Sequence, residues 1–277
     1  MLTKKNYRIV FSDIDGTILN NNKDVSAETI TITNHLFQKK NIPTVLISAR
    51  MPSAISPLSK KLCPNAPIIA YNGALILIPE NGQYKVLQSL SFPSNIAKTI
   101  LEQSQTERFH VGVFHEDQWI VNQHDKWTDH EIFSTGLTPE VLDNKKLSLL
   151  LDVEMPRLHK IMVMASSSII DRLANEITKS FKNIVTVYRS SDIYMEITPA
   201  SSSKKLGVEV MLNHLGINPS EAIAFGDNYN DLEMLKFVGM GIAVENARET
   251  VKAAAKMVTG HSKQNGVAEA LQQIFSI

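Results

Sequence analysis

The chain has 277 residues, 43% of them hydrophobic, enough for one large domain or for a core with a second domain inserted in it. Lys plus Arg and Asp plus Glu both number 28, so the formal net charge is zero, without the basic excess that a nucleic-acid partner asks for. Cys63 is the only cysteine, which excludes an intrachain disulfide and fits a reducing compartment.

In chain order, Lys4, Lys5 and Arg8 precede only the short apolar run Ile9-Val10-Phe11, whereas a signal peptide needs roughly 7–15 apolar residues there. No stretch approaches the ~18 apolar residues of a membrane span, so a cytoplasmic protein without a membrane partner is expected. Arg8–Ser12, Pro43–Ser48 and Pro67–Tyr71 are apolar runs that end in polar or small residues, the pattern of buried parallel strands. Helices are expected over Ser26–Lys40, with Asn41 as a stop, and over Ser53–Leu62. Ala74–Ile78 and Tyr84–Gln88 flank Asn81-Gly82, a strong hairpin signal. Val111–Phe114 and Gln118–Val121 flank His115-Glu116-Asp117 as a second hairpin. Ser94–Gln105 and Ile169–Phe181 read as helices; Lys160–Ala165, Val185–Arg189 and Ile193–Ile197 read as strands. The strand and helix alternation then resumes with Lys204–Leu215, Glu221–Phe225, Asp231–Phe237, Gly239–Val244 and Ala247–Lys256. The fold class is therefore α/β, a doubly wound (Rossmann-like) parallel sheet over residues 1–82 and 192–277, with an α+β cap inserted at 83–191. In such sheets ligands bind at the carboxyl ends of the strands, near a switch point.

Four groups of residues fall at such places. Asp13-Ile14-Asp15-Gly16-Thr17 sets two carboxylates two apart where the first strand should end, and period-2 geometry points both to one side. One carboxylate could attack phosphorus while the other handles a proton; an Asx-rich turn capping a strand is the plainer alternative. Gly226-Asp227-Asn228-Tyr229-Asn230-Asp231 puts further carboxylates after the run Ala222–Phe225, beside Asp13 if the two strands are neighbours. Clustered oxygens suit a hard cation, and Mg²⁺ commonly takes one or two carboxylates; a helix N-cap at Asn230 or Asp231 is compatible with that. Ser48 ends the second strand, where a hydroxyl and backbone N–H groups would cradle phosphate, with Arg50 close by. Lys204, near a helix start, would neutralise phosphate and an attacking carboxylate together. Taken singly, Ser48 suits a turn and Lys204 a surface.

Together the four resemble the motifs of the haloacid dehalogenase superfamily, in the layout of its Cof-like (class IIB) phosphatases, and the resemblance covers nearly the whole chain. Tyr71-Asn72-Gly73-Ala74, Met195-Glu196-Ile197-Thr198-Pro199, Val244-Glu245-Asn246-Ala247 and Asn265-Gly266-Val267-Ala268 add to it. The resemblance implies a Mg²⁺-dependent phosphatase acting on a small phosphorylated metabolite, a sugar phosphate or nucleotide-like cofactor. It implies Asp13 as a nucleophile forming an aspartyl phosphate and Asp15 as general acid and then base. It implies Mg²⁺ on Asp13, the Asp15 carbonyl and Asp227. Phosphate would be held by Ser48, the Ala49 amide, Lys204 and Asn230, with Asp231 orienting Lys204 or standing behind the metal. Ala49, Ser201 and Lys205 stand where the family usually has Gly; Ala49 is harmless if its φ is negative. Lys204 is a better match than Lys205 because it keeps the usual spacing from Pro199.

In the middle of the chain, His110, His115, His124 and His130, with Asp117, Asp125 and Asp129, match no common zinc spacing. Trp119 and Trp127 suit packing, while His124, Arg157, Tyr188 and Asn72-Gly73 are candidate substrate contacts. A phosphomutase of the phosphomannomutase type is the alternative enzyme, and a non-catalytic phosphate-ligand sensor the alternative of another class. The oligomeric state is expected to be a monomer or homodimer.

Overall fold

A computed structural model describes residues 6–277; Lys4 and Lys5 lie outside the described residues. The chain runs through β1 (Ile9–Ser12), α1 (Ala27–Lys40), β2 (Thr44–Ile47), α2 (Pro52–Leu62), β3 (Ile68–Ala70), β4 (Leu75–Glu80) and β5 (Gln83–Ser89). It continues through β6 (Phe92–Pro93), α3 (Asn95–Glu107), β7 (His110–His115), β8 (Gln118–Val121), α4 (Lys126–Thr135), β9 (Glu140–Val141) and α5 (Asn144–Val153). Next come β10 (Arg157–Leu158), β11 (Lys160–Met164), α6 (Ser167–Ser180), β12 (Val185–Ser191) and β13 (Tyr194–Pro199). It ends with α7 (Lys204–Leu215), β14 (Ala222–Gly226), α8 (Leu232–Phe237), β15 (Met240–Ala243), α9 (Glu249–Ala254), β16 (Met257–Val258) and α10 (Gly266–Phe275). No described helix is long and apolar enough to cross a membrane.

Two compact units result. One takes in the residues up to Arg50, 55–88 and 203–277; the other comprises 51–54 and 89–202. The crossings thus fall after Gln88 and after Ser202, not after residues 82 and 191 as the sequence suggested. The cause is strand pairing. Asn81 (φ 51°) and Gly82 (φ 79°) form the tight turn, and its second arm, β5, stays beside β4 on the edge of the first unit's sheet. At the other end, β13 pairs with both β11 and β12 and belongs to the second unit's sheet.

The first unit's sheet has the order β16-β15-β14-β1-β2-β3-β4-β5. β1 lies inside it, parallel to β14 and β2, with Ser12 opposite Phe225 and Leu46. Every residue of β1, β2, β3 and β14 is buried, as a parallel sheet covered on both faces requires. α1 starts where Ser26 accepts a hydrogen bond from the Thr29 N–H, and stops at Asn41 in the left-handed region. The chain leaves β1 for β2 on one side and returns to β14 on the other, so the carboxyl end of β1 is the switch point.

The second unit's sheet has the order β12-β13-β11-β7-β8-β9. One set of its side chains, including Val111, Val113, Ile161, Val163, Met195 and Ile197, packs with apolar residues of α3, α5 and α6. α4 and α5 are started by Asp125 and Asp143, whose carboxylates accept from backbone N–H groups of their first turns. Trp119 stacks on Phe114 at 5.9 Å, and His124 pairs with Asp129 at 2.8 Å. Arg157 donates from Nε to Ser91 Oγ at 2.8 Å.

Two consequences of packing are measurable. Gly207 in α7 has no room for a Cβ, which would lie 2.7 Å from the Ile69 Cγ2 methyl. That methyl sits on a branched Cβ in a buried strand and cannot swing aside. Helix propensity favours alanine there by about 1 kcal/mol, whereas overpacking costs about 1–3 kcal/mol. Gly207→Ala is therefore expected to lower the thermal midpoint by about 3 °C; a raised midpoint would show that the crowding is absent. Buried His159 accepts from the Glu116 N–H at Nδ1 (3.0 Å) and meets Ser89 Oγ at Nε2 (2.9 Å). Burial, then the charges of His115 and Arg157, lower its pKa to about 4. As pH falls, the unfolded chain takes up this proton first, so stability is full above pH 6.5 and declines from there towards pH 4, by about 2–3 kcal/mol. Urea unfolding between pH 7 and pH 4 should show that decline, and His159→Gln should flatten it.

Candidate active site

Strand β1 delivers Asp13. Its N–H donates to the Phe225 carbonyl of β14 at 3.1 Å, which carries the pairing one residue past the strand. The chain then turns through Gly16, whose φ of 83° suits glycine. A Cβ at Gly16 would lie 2.5 Å from Asp227 Oδ2, so the missing side chain is what lets this turn meet the loop after β14. Thr17 Oγ donates to Asp227 Oδ1 at 2.9 Å and lies 3.4 Å from Asp13 Oδ2. The sequence reading gave Thr17 no role, although its fixed place after Asp-x-Asp-Gly carried the signal.

The loop after β14 is built around Asp231, which is fully buried. Its Oδ2 accepts from the N–H groups of Asp227 and Asn228, both at 3.0 Å. Its Oδ1 accepts from Lys204 Nζ at 2.7 Å. Lys204, in the first turn of α7, also donates to Asp13 Oδ1 at 2.5 Å. One ammonium thus joins residues 191 and 27 positions away in the chain. Both carboxylate oxygens of Asp231 are thus engaged, one by the Lys204 ammonium and the other by the loop's own N–H groups. Lys205 turns elsewhere, to Glu209 and to the face of Phe237.

Oxygens of Asp13, Asp227 and Asp231 lie within 4.8 Å of one another, the one such group of three among the described residues. Burial pushes Asp13 well above the usual carboxylate range; Lys204 pulls it back, and Asp231 and Asp227 push it up again. Burial likewise raises Asp227 against the hydrogen bond from Thr17. For Lys204, burial lowers the pKa, but Asp13 and Asp231 reverse this and hold it above its ordinary value. Three carboxylates against one ammonium leave an excess of negative charge.

Ser48 is buried, and its Oγ accepts from the Arg50 N–H at 3.2 Å. Ala49 has no positive φ, so the loss of glycine there is harmless, and the same holds for Ser201. Asn230 Nδ2 donates to Asn72 Oδ1 at 3.3 Å. Asp15 is not grouped with Asp13. Its side chain is 58% exposed and accepts twice from Arg50, at 2.8 Å from Nε and 2.6 Å from Nη2. The expectation that both carboxylates share one side fails because β1 ends at Ser12, and period-2 geometry does not extend into the turn. Asn246, outside the four motifs, braces that turn by donating to the Gly16 carbonyl at 2.7 Å.

The charge imbalance makes opposite predictions for two substitutions. With chelator present, Asp13→Asn removes one of the crowded negative charges and should stabilise the fold by about 1–2 kcal/mol. Lys204→Met strands buried carboxylates and should destabilise it by about 3–5 kcal/mol. Urea denaturation of both variants checks the two signs; equal shifts in one direction would contradict the electrostatic account.

Residues 10–271 match the haloacid dehalogenase-like hydrolase family. A Haemophilus influenzae protein assigned as a phosphatase is 31% identical over 274 residues, covering 97% of this chain and 98% of that protein. The Bacillus subtilis 5-amino-6-(5-phospho-D-ribitylamino)uracil phosphatase YitU is 26% identical over 276 residues, with 97% and 98% covered. The solved structure of a haloacid dehalogenase-like hydrolase from Bacteroides thetaiotaomicron superposes with a TM-score of 0.87 at 28% identity, over 97% of this chain and 100% of that one. The Asp13, Asp227 and Lys204 cluster at the switch point therefore stands in a chain that belongs to the haloacid dehalogenase-like hydrolase family.

Proposed function

We propose that the protein is a Mg²⁺-dependent phosphatase that hydrolyses a small phosphorylated metabolite, such as a sugar phosphate or a nucleotide-like cofactor, through an aspartyl phosphate on Asp13. The observation that carries this is the state of the Asp13 carboxylate. Oδ1 is fixed by Lys204 at 2.5 Å, while Oδ2 faces Thr17 Oγ1 at 3.4 Å, and Asp227 stands beside the carboxylate. With Oδ1 held by the ammonium, Oδ2 is the oxygen proposed to react.

The donor set fits Mg²⁺. Asp231 is fully engaged, which leaves Asp13 and Asp227 as oxygen donors, and Gly16 keeps a Cβ out of the space against Asp227 Oδ2. Asp13, the Asp15 carbonyl and Asp227 would hold the ion. When bound, it offsets the negative charge shared by the carboxylates and the phosphate.

Asp13 Oδ2 attacks phosphorus, and the bond to the leaving oxygen breaks. Asp15 protonates that oxygen, then takes a proton from the water that attacks the aspartyl phosphate, and Asp13 is regenerated. To do so Asp15 leaves Arg50, a rotation available to an exposed side chain. Ser48, the Ala49 amide, Lys204 and Asn230 hold the phosphate oxygens. Residues 89–202 serve as the unit that selects the leaving group. The phosphatase names of the similar proteins support the reaction, and YitU's name supports a small cofactor-like substrate.

Hydrolysis of an aryl phosphate tests the reading. Mg²⁺ should be required, EDTA should abolish turnover reversibly, and Asp13→Asn should lower kcat by at least about 10³-fold. Wild-type rates in Asp13→Asn would rule the mechanism out. A panel of phosphorylated metabolites would then define the substrate.

A further inference from the structure

We infer that Asn72 is a positioning residue of this site, whose carboxamide sets the orientation of the Asn230 carboxamide towards a bound phosphate; this rests on the role proposed above for Asn230. Three observations carry it. The first is backbone strain. Tyr71, Asn72 and Gly73 have consecutive φ values of 50°, 53° and 93°, and Tyr71 is fully buried. A large aromatic residue rarely adopts this region, and such outliers persist only where surrounding structure enforces them.

The second is what enforces it. The Tyr71 N–H donates to the Arg50 carbonyl at 3.2 Å, and the Asn72 N–H to the Ser48 carbonyl at 2.8 Å. A Cβ on Gly73 would lie 2.4 Å from the Ser203 carbonyl oxygen. The turn is thus fixed to the loop bearing Ser48 and to the start of the helix bearing Lys204. From there the Asn72 side chain reaches Asn230, on the loop after β14.

The third is an unmet polar atom. Asn230 Nδ2 donates to Asn72 Oδ1 at 3.3 Å, while Asn230 Oδ1 is buried and accepts nothing. If both carboxamides turn over, the bond survives with Asn72 as donor, and Nδ2 of Asn230 takes the place of the orphaned oxygen. An unprotonated phosphate oxygen offers only lone pairs to that position, so anion binding through such an oxygen selects the turned-over pair.

The test is a double-mutant cycle read by calorimetric binding of inorganic phosphate in Mg²⁺ buffer, with KM and kcat on an aryl phosphate beside it. Asn72→Gly removes the carboxamide but tolerates the left-handed backbone. It should weaken phosphate about tenfold, raise KM more than it lowers kcat, and have less than about a twofold effect in the Asn230→Ala background. Asn72→Asp, an acceptor alone, should weaken phosphate at least as much as Asn72→Gly. Unchanged phosphate affinity in Asn72→Gly while Asn230→Ala weakens it, or an equal loss in both backgrounds, would overturn the role of Asn72. Unchanged affinity in Asn230→Ala would instead remove Asn230 from the phosphate site and this inference with it.

Discussion

A single buried ammonium organises the site. Lys204 Nζ lies 2.5 Å from Asp13 and 2.7 Å from Asp231, and all three side chains are withdrawn from water. Ions taken out of water are tolerated only when paired and hydrogen-bonded. That requirement ties the end of β1 to the loop after β14 and the first turn of α7, and the glycines follow from it. Gly16 admits Asp227, Gly226 admits Asp231, and Gly207 lets α7 lie against β3 and carry Lys204 inward.

Much of this was legible in the sequence because short-range rules governed it. Apolar runs marked β1, β2, β3, β14 and β15, Asn81-Gly82 marked a hairpin, and Ser26 and Asn41 marked the ends of α1. Asp13 and Asp227 were marked by their places at strand ends, whereas Lys204, which taken singly suits a surface, was marked by the resemblance of the four motifs together. Other features depend on long-range pairing. Whether β5 and β13 belong to one unit or the other is decided by neighbouring strands, which local patterning does not show. Similarly, Asp15 was placed beside Asp13 by a strand rule, but the chain is no longer a strand there, and Arg50 captures the side chain. Thr17 and Asn72 were in plain view as motif residues, yet their contacts, with Asp227 and Asn230, run to a loop more than 150 residues away in the chain.

The Asp15–Arg50 pair separates the proposed nucleophile from the proposed acid. Asp13 is buried and fixed, whereas Asp15 is exposed and held by a charge pair that water weakens. On the proposed mechanism the acid is delivered by rotation of Asp15 away from Arg50, separately from the attack by Asp13.

The central claim is that Asp13 carries the phosphoryl group. Rapid acid quench during turnover of an aryl phosphate, borohydride reduction and peptide mass spectrometry would read this directly, because an aspartyl phosphate is reduced to homoserine. The account predicts homoserine at position 13, dependent on substrate and absent from Asp13→Asn. Steady turnover with residue 13 unmodified, or with the modification at another carboxylate, would contradict it.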